Sequence, residues 1–351
     1  MPEGYGQNRH NVRESPAGYG QNRHNVREAP AGEGRKRGTL RENSYISGVK
    51  RWVMILLMLV PVPTWCQGQG GRIRDAEDRF WVTTPEDSLL AETILADLAG
   101  HAGKSVAELM VRAGMALVGQ PYVAGTLDEI KTRDTSENST GKKAGKEELR
   151  IYLTRTDCII FVETCLALAR TAAQGGDFHM FANEIRQSRY RNGRVEAYAD
   201  RLHYTTEWAR RGEARGVLKD VTRALGGAPL DRPVNYMSSH PESYPLMDDI
   251  DAIRKAEDGI NSEPRYYIPK SKIAGALKDI RTGDIICLVT TVEGLDISHV
   301  AMAVVEDGTV RMLHASTGPM KVTVDPKTLQ EYLAGRSSVS GIQVLRPSDI
   351  R

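Results

Sequence analysis

The stretch GDIICLVTTVEGLDISHVAMAVVEDGTVRMLHAS, residues 283–316, constrains the fold more than any other part of the chain. Short Val-, Ile- and Met-rich runs are cut by turn signals, the pattern of an antiparallel meander rather than of a helix. Asp307 and Gly308 separate two alternating runs and form the dipeptide favoured in two-residue type I′ hairpins, where both central positions need positive φ. With this turn Glu306 faces Thr309, His314 stands opposite Ala301, and His299 stands opposite Ser316. Directly opposed residues point to the same side, so His299 and His314 share one face as diagonal neighbours, about 7 Å apart before side-chain reach. A three-residue turn would send them to opposite faces.

Upstream the periodicity is helical. From Asp87 to Val118, apolar residues in LLAETILADLAG and VAELMVRAGMALVG recur at helical spacing and predict two short helices. GQPYVAGTLD follows as an extended turn, and residues 131–148 form a charged Ser-, Thr-, Gly- and Lys-rich loop expected to be mobile. An apolar helix runs from about Asp157 to Ala173, residues 179–225 are mostly helical, and RPVNYMSSHPESYPLM is irregular. Helices first and strands second make an α+β domain.

The N-terminal stretch, residues 1–68, reads differently. GYGQNRHNVRE occurs at 4–14 and again at 18–28, and a Gly-, Asn- and Arg-rich unit with few apolar residues cannot bury a core. Lys50 and Arg51 then precede an apolar run from Trp52 to Val62 and a Gly/Gln-rich exit, the layout of a secretory signal too short to span a bilayer comfortably. The expected organisation is a disordered repeat arm at 1–48, a signal peptide at 49–68 with translation starting near Val49, a linker at 69–86, and one domain at 87–351. Cys66 fits a lipidation signal poorly, because Trp65 precedes it and Pro63 stands at the third position upstream. The formal charge of +2 hides a basic arm: residues 1–51 carry ten Lys and Arg against five Asp and Glu. The remainder is close to neutral, and nothing in it favours nucleic acid as a partner.

Three cysteines, Cys158, Cys165 and Cys287, remain beyond the signal, an odd number that gives no disulfide framework. In TRTDCIIFVETCLALAR, Thr156 or Asp157 suits an N-cap and places Cys158 in the first helical turn. Free N–H groups and the positive end of the helix dipole stabilise a thiolate there, so a lowered thiol pKa is expected. The same N–H groups can receive an oxyanion. Cys165, Cys287 and Glu163 read as structural.

PYVAGTLD, DCIIFVE, GDIICL, SHVAMAV and LHAS, in that order, resemble the NlpC-type papain-like cell-wall cysteine hydrolases, and within them the N-acetylmuramoyl-L-alanine amidase-like family of bacterial envelope proteins. The resemblance runs from roughly Ala91 to the C-terminus and includes YRNGRVEAYADRLHY and VNYMSSHP. It implies a papain-like core, with a nucleophile helix packed on an antiparallel meander or small barrel and a helical insertion at about 175–265. It further implies Cys158 as nucleophile, His299 as base, His314 as the residue that orients the base, and Tyr122 as an oxyanion or substrate contact. Arg201, His203 and Tyr204 are cleft candidates, because stem peptides carry carboxylates that Arg grips. Asn235, Ser238 and His240 are further substrate candidates. Ile159 and Ile160 depart from the small or hydroxyl residues common after the cysteine, and the 131–148 loop is longer than expected. The implied partner is peptidoglycan or muropeptide fragments in the periplasm or cell envelope, with no cofactor, metal, nucleic acid or stable membrane span. The implied reaction is cleavage of the N-acetylmuramoyl-L-alanine amide. A stem-peptide endopeptidase cutting after D-glutamate, a zinc protein using Cys158, His299 and His314 as ligands, and a non-catalytic wall-binding module are the alternatives.

Overall fold

The computed structural model describes residues 80–101, 103–128, 147–244 and 246–350. The repeat arm, the signal stretch and nearly all of the 131–148 loop lie outside the described residues.

In chain order the elements are β1 (Trp81–Val82), α1 (Pro85–Ala99), α2 (Val106–Ala116), β2 (Leu149–Arg150), α3 (Cys158–Ala173), α4 (Phe178–Arg189), α5 (Thr205–Ala214), β3 (Leu218–Asp220), β4 (Ala228–Pro229), α6 (Tyr236–Ser239), α7 (Ile250–Asn261), β5 (Tyr266–Pro269), α8 (Ile273–Ala276), β6 (Ile285–Thr290), β7 (Ile297–Glu306), β8 (Thr309–Ser316), β9 (Lys321–Val324), α9 (Leu329–Ala334) and β10 (Val339–Pro347). Residues 80–86, the described end of the stretch read as a linker, hold β1 and the start of α1. Phe80 and Trp81 there meet His179 of α4 edge to face. Among the described residues no helix is long and apolar enough to cross a membrane.

The chain folds as α+β. The main sheet has the order β4-β5-β10-β6-β7-β8-β9, with β3 also paired to β10, and its ladders are antiparallel. Its centre is covered on both faces, which is why GDIICLVT is apolar at consecutive rather than alternate positions. Ile285, Cys287 and Val289 of β6 join Val300 and Met302 in a core built with α1, α2, α3 and α4. Ile286 and Leu288 face the other way and pack with Ala301, Ala303 and Met312 against Ile273 of α8 and Leu329 and Leu333 of α9. A third core under α6 and α7 gathers Tyr198, Tyr204, Val234, Met237, Ile253 and Ile260.

The β7–β8 hairpin has the expected register, with Glu306 paired to Thr309 and positive φ at both Asp307 (50°) and Gly308 (74°). Its ladder ends at Met302–Leu313, short of the expected Ala301–His314 and His299–Ser316 pairs. Beyond that point β8 continues with β9, where His314 pairs with Thr323.

Candidate active site

Asp157 caps α3: its side chain accepts the Ile160 N–H at 3.0 Å while its carbonyl accepts from Phe161. Cys158 is therefore the first helical residue, where backbone N–H groups have no helical partner. The N–H groups of Val300, Ile159 and Cys158 itself reach the thiol. Val300 follows His299 on β7, so the sulfur sits against the strand that carries the imidazole. Cys158 keeps 7% of its surface and His299 9%, whereas Cys165 and Cys287 keep none. Those two pack as core side chains.

The thiol does not have the lowered pKa that its helical position suggests. Burial, and then the neighbouring Asp157 carboxylate, push it up to about 12 against the pull of the three N–H groups. Asp157 is itself raised to about 6, chiefly by burial. Desolvation thus outweighs the helix terminus, and the resting thiol is neutral at pH 7.

Across the thiol lies Tyr122, on an extended segment tied to the start of α3 by Val123 N–H to Thr156 O at 2.9 Å and Thr156 N–H to Pro121 O at 3.1 Å. Its ring is buried and its hydroxyl has no hydrogen-bond partner among the described residues. Its pKa is raised by burial and by the charges of Cys158 and Asp157.

The two histidines meet directly, with His299 Nε2 2.8 Å from His314 Nδ1 and the rings edge to face. These ring nitrogens face each other rather than a common point, and among the described residues no three His, Cys, Asp or Glu side chains group as a metal site. His314 is fully buried, and Tyr332 of α9 closes the remaining side of its ring, edge to face at 5.8 Å. The Arg336 guanidinium lies 4.8 Å from the Tyr332 ring centre. Burial holds His299 well below the usual imidazole range, helped by His314 and Arg336. Burial likewise lowers His314 to about 4, with the Asp325 carboxylate opposing. Both rings are neutral at pH 7.

Other candidates are placed in two ways. Arg201 and His203 line a pocket with Asp157, Ile159 and Ile160 at the start of α3. Arg201 is committed within it: it donates to Asp128 at 2.6 Å and twice to Glu147, at 2.8 and 3.0 Å. The carboxylates expected from a substrate are supplied by the protein, so this guanidinium braces the chain at 128 and 147. His203 Nε2 donates to the Tyr198 carbonyl at 2.9 Å, and its ring packs against that of Tyr198 at 4.4 Å with the planes tilted by 35°. Tyr204 is buried in the third core, its hydroxyl donating to Glu257 at 2.7 Å and accepting from the Met237 N–H at 2.8 Å. Asn235 is exposed, the Ser238 hydroxyl donates to Asn235 O at 3.3 Å, and His240 stacks on Tyr236 at 4.3 Å. None of these three touches the cysteine or the histidine pair through a described contact. Glu163 forms a buried ion pair with Arg189, at 2.6 and 2.8 Å.

Asp325, Tyr332 and Arg336 escape a reading of the sequence built on the first hairpin. Extending the meander by one strand finds Asp325, because it stands two residues beyond Thr323, the partner of His314, and shares its face.

A family described as AmiA-like, N-acetylmuramoyl-L-alanine amidase-like, matches residues 112–342. Among solved structures, an N-acetylmuramoyl-L-alanine amidase from Bacteroides uniformis aligns at 32% identity and TM-score 0.62, over 70% of this chain and 99% of that one. A Bacteroides fragilis protein described as a candidate xylanase aligns at 33% identity and TM-score 0.57, over 66% and 98% of the two chains. Protein LPG0564 from Legionella pneumophila, at 19% identity and TM-score 0.57 over 75% and 95%, shares the fold. No curated protein matches the chain.

Proposed function

From the membership of this chain in the N-acetylmuramoyl-L-alanine amidase-like family, we propose that it is a cell-wall amidase with a cysteine nucleophile and a papain-like, NlpC-type catalytic arrangement. The bond cut is the amide between the lactyl group of N-acetylmuramic acid and L-alanine, in peptidoglycan turnover fragments. A signal at 49–68 would deliver the enzyme to the periplasm or cell envelope, where such fragments arise.

The observation that carries this reading is the pairing of His299 Nε2 with His314 Nδ1 beside a cysteine at a helix start. With Nε2 engaged, Nδ1 is the one ring nitrogen of His299 left to act as base. A neutral thiol and a neutral imidazole start the reaction: His299 Nδ1 takes the proton as Cys158 Sγ bonds to the amide carbon. The carbonyl oxygen becomes an oxyanion, met by the N–H groups at the start of α3 and by the Tyr122 hydroxyl. The C–N bond then breaks, and the proton on His299 passes to the departing nitrogen of L-alanine. Water, deprotonated by the same imidazole, adds to the thioester carbon; the C–S bond breaks to release the lactyl carboxyl group, and the imidazolium returns its proton to the departing sulfur. Burial, which makes free thiolate costly, also strengthens the oxyanion contacts.

Mass spectrometry of a defined muropeptide digested by the full chain tests the proposal. The expected products are a sugar ending in a lactyl carboxylate and a peptide beginning with free L-alanine. Cleavage inside the stem would establish the endopeptidase reading instead. Cys158→Ala is expected to abolish cleavage, as is iodoacetamide, while a chelator leaves it intact; activity surviving in Cys158→Ala would overturn the nucleophile.

A further inference from the structure

His314 Nε2 is buried, faces away from His299, and has no hydrogen-bond partner among the described residues. Asp325 Oδ2 lies beside it, at 3.5 Å. That separation is longer than an ordinary hydrogen bond, and catalytic contacts of this length commonly shorten when substrate binds. The carboxylate is held from behind: the Asp325 N–H donates to Met312 O at 2.8 Å, and Oδ1 accepts the Lys327 N–H at 2.9 Å. Oδ2 is thereby the oxygen left for the imidazole. Tyr332 and His299 pack edge to face against His314, at 5.8 and 5.0 Å, and fix its ring plane.

We propose that Asp325 is a positioning residue that sets the tautomers of both imidazoles, through a relay from Asp325 to His314 to His299. The inference deepens the cysteine-amidase reading and rests on it. A carboxylate only accepts, so His314 must place its proton on Nε2 and leave Nδ1 as a lone pair. His299 must then place its proton on Nε2 to donate across the 2.8 Å contact. Its Nδ1 is left bare, the form a general base requires. When His299 gains the thiol proton, the Nε2–H donation to His314 persists and no further proton has to move.

Asn at this position separates the relay from simple packing. The Lys327 N–H can only donate, so it keeps the amide oxygen of Asn and turns the NH2 toward His314. His314 Nε2 must then accept, its Nδ1 carries the proton, His299 Nε2 becomes an acceptor, and the catalytic Nδ1 is blocked by a proton. Asp325→Asn is therefore expected to lower kcat about 100-fold or more. Asp325→Ala, which imposes no tautomer, is expected to cost roughly 10-fold, with the order Asn worse than Ala. A structural or steric role predicts the reverse order, since Asn is nearly isosteric with Asp.

The experiment compares the full-length wild type, Asp325→Asn and Asp325→Ala for kcat on the muropeptide. Histidine-selective ¹⁵N NMR on the same proteins reads the tautomers without relying on activity. The expected spectra show the Nε2–H form for His299 and His314 in wild type, the Nδ1–H form in Asp325→Asn, and a mixture in Asp325→Ala. Unchanged tautomers in either variant, or an Asn variant more active than Ala, would overturn the relay. Cys158→Ala, assayed alongside, separates failure of this inference from failure of the amidase reading. A variant that lost its fold would show in collapsed histidine shifts, and the wild-type spectrum alone still refutes the relay if either ring carries its proton on Nδ1.

Discussion

At the scale of single residues, the Tyr122 hydroxyl is the most exacting group in the site. It is buried without a partner among the described residues, a state that costs about 1–3 kcal/mol unless a ligand atom completes it. Tyr122→Phe is expected to leave folding stability unchanged or slightly higher while lowering kcat about 100-fold, with little change in KM. A variant that lost stability but kept kcat would show that the hydroxyl serves the fold. Arg336 makes a second point. Its charge helps hold both imidazoles low, so Arg336→Gln should raise both pKa values. A protonated His299 cannot act as base, so the acid limb of the kcat/KM profile is expected to move to higher pH; an unmoved limb would remove Arg336 from the electrostatics of the site. These residues differ in how legible they are. Cys158 and the histidines announce themselves through a cap, a turn and an alternation, all local patterns. Tyr332 and Arg336 carry no local signal, because what makes them matter is the return of α9 onto the far side of His314.

Among the elements, the hairpin and α3 follow from their own residues, whereas β10 does not. Asp307 and Gly308 accept positive φ and so fix the register, and Asp157 satisfies the first turn of α3. β10 pairs with β3, β5 and β6 together, so Leu345 meets both Asp220 and Ile285. No short-range pattern encodes partners that lie from 49 (Val339–Thr290) to 129 (Pro347–Leu218) residues away. The geometry it imposes is nonetheless local at Gly341, which faces Val289 of β6 and Pro269 of β5. A Cβ there would stand 2.1 Å from the Ile268 carbonyl oxygen and 2.8 Å from the Tyr267 ring, and the nearer neighbour is backbone. Gly341→Ala is accordingly expected to destabilise the protein by about 1–3 kcal/mol in urea denaturation. An unchanged midpoint would mean that β5 can withdraw from β10 at no cost.

For the molecule as a whole, the buried titratable groups make stability depend on pH in opposing senses. His203 is lowered to about 3, by burial first and the nearby Arg201 charge second, while the Tyr198 carbonyl opposes. Its ordinary value is 6.5. The stability tied to its neutral form is complete above 6.5 and is lost as pH falls toward 3, because the unfolded chain takes up a proton that the folded chain refuses. His314, lowered to about 4, acts in the same direction. Asp157 acts in the other: raised from 3.8 to about 6, it favours the folded state most below 3.8 and loses that contribution as pH rises through 6. A single acid-denaturation curve therefore mixes signs, and a variant is needed to isolate one of them. His203→Gln removes one titration and leaves the others in place. Within the window between 6.5 and 3, wild type is expected to lose about 1.4 kcal/mol per pH unit more than the variant. Unfolding free energies at pH 7, 6 and 5 for the two proteins provide the measurement. Equal slopes would mean that His203 takes up its proton as readily in the folded protein as in the unfolded chain. Arg201, the second cause of its lowered pKa, would then be too well neutralised by Asp128 and Glu147 to repel the ring.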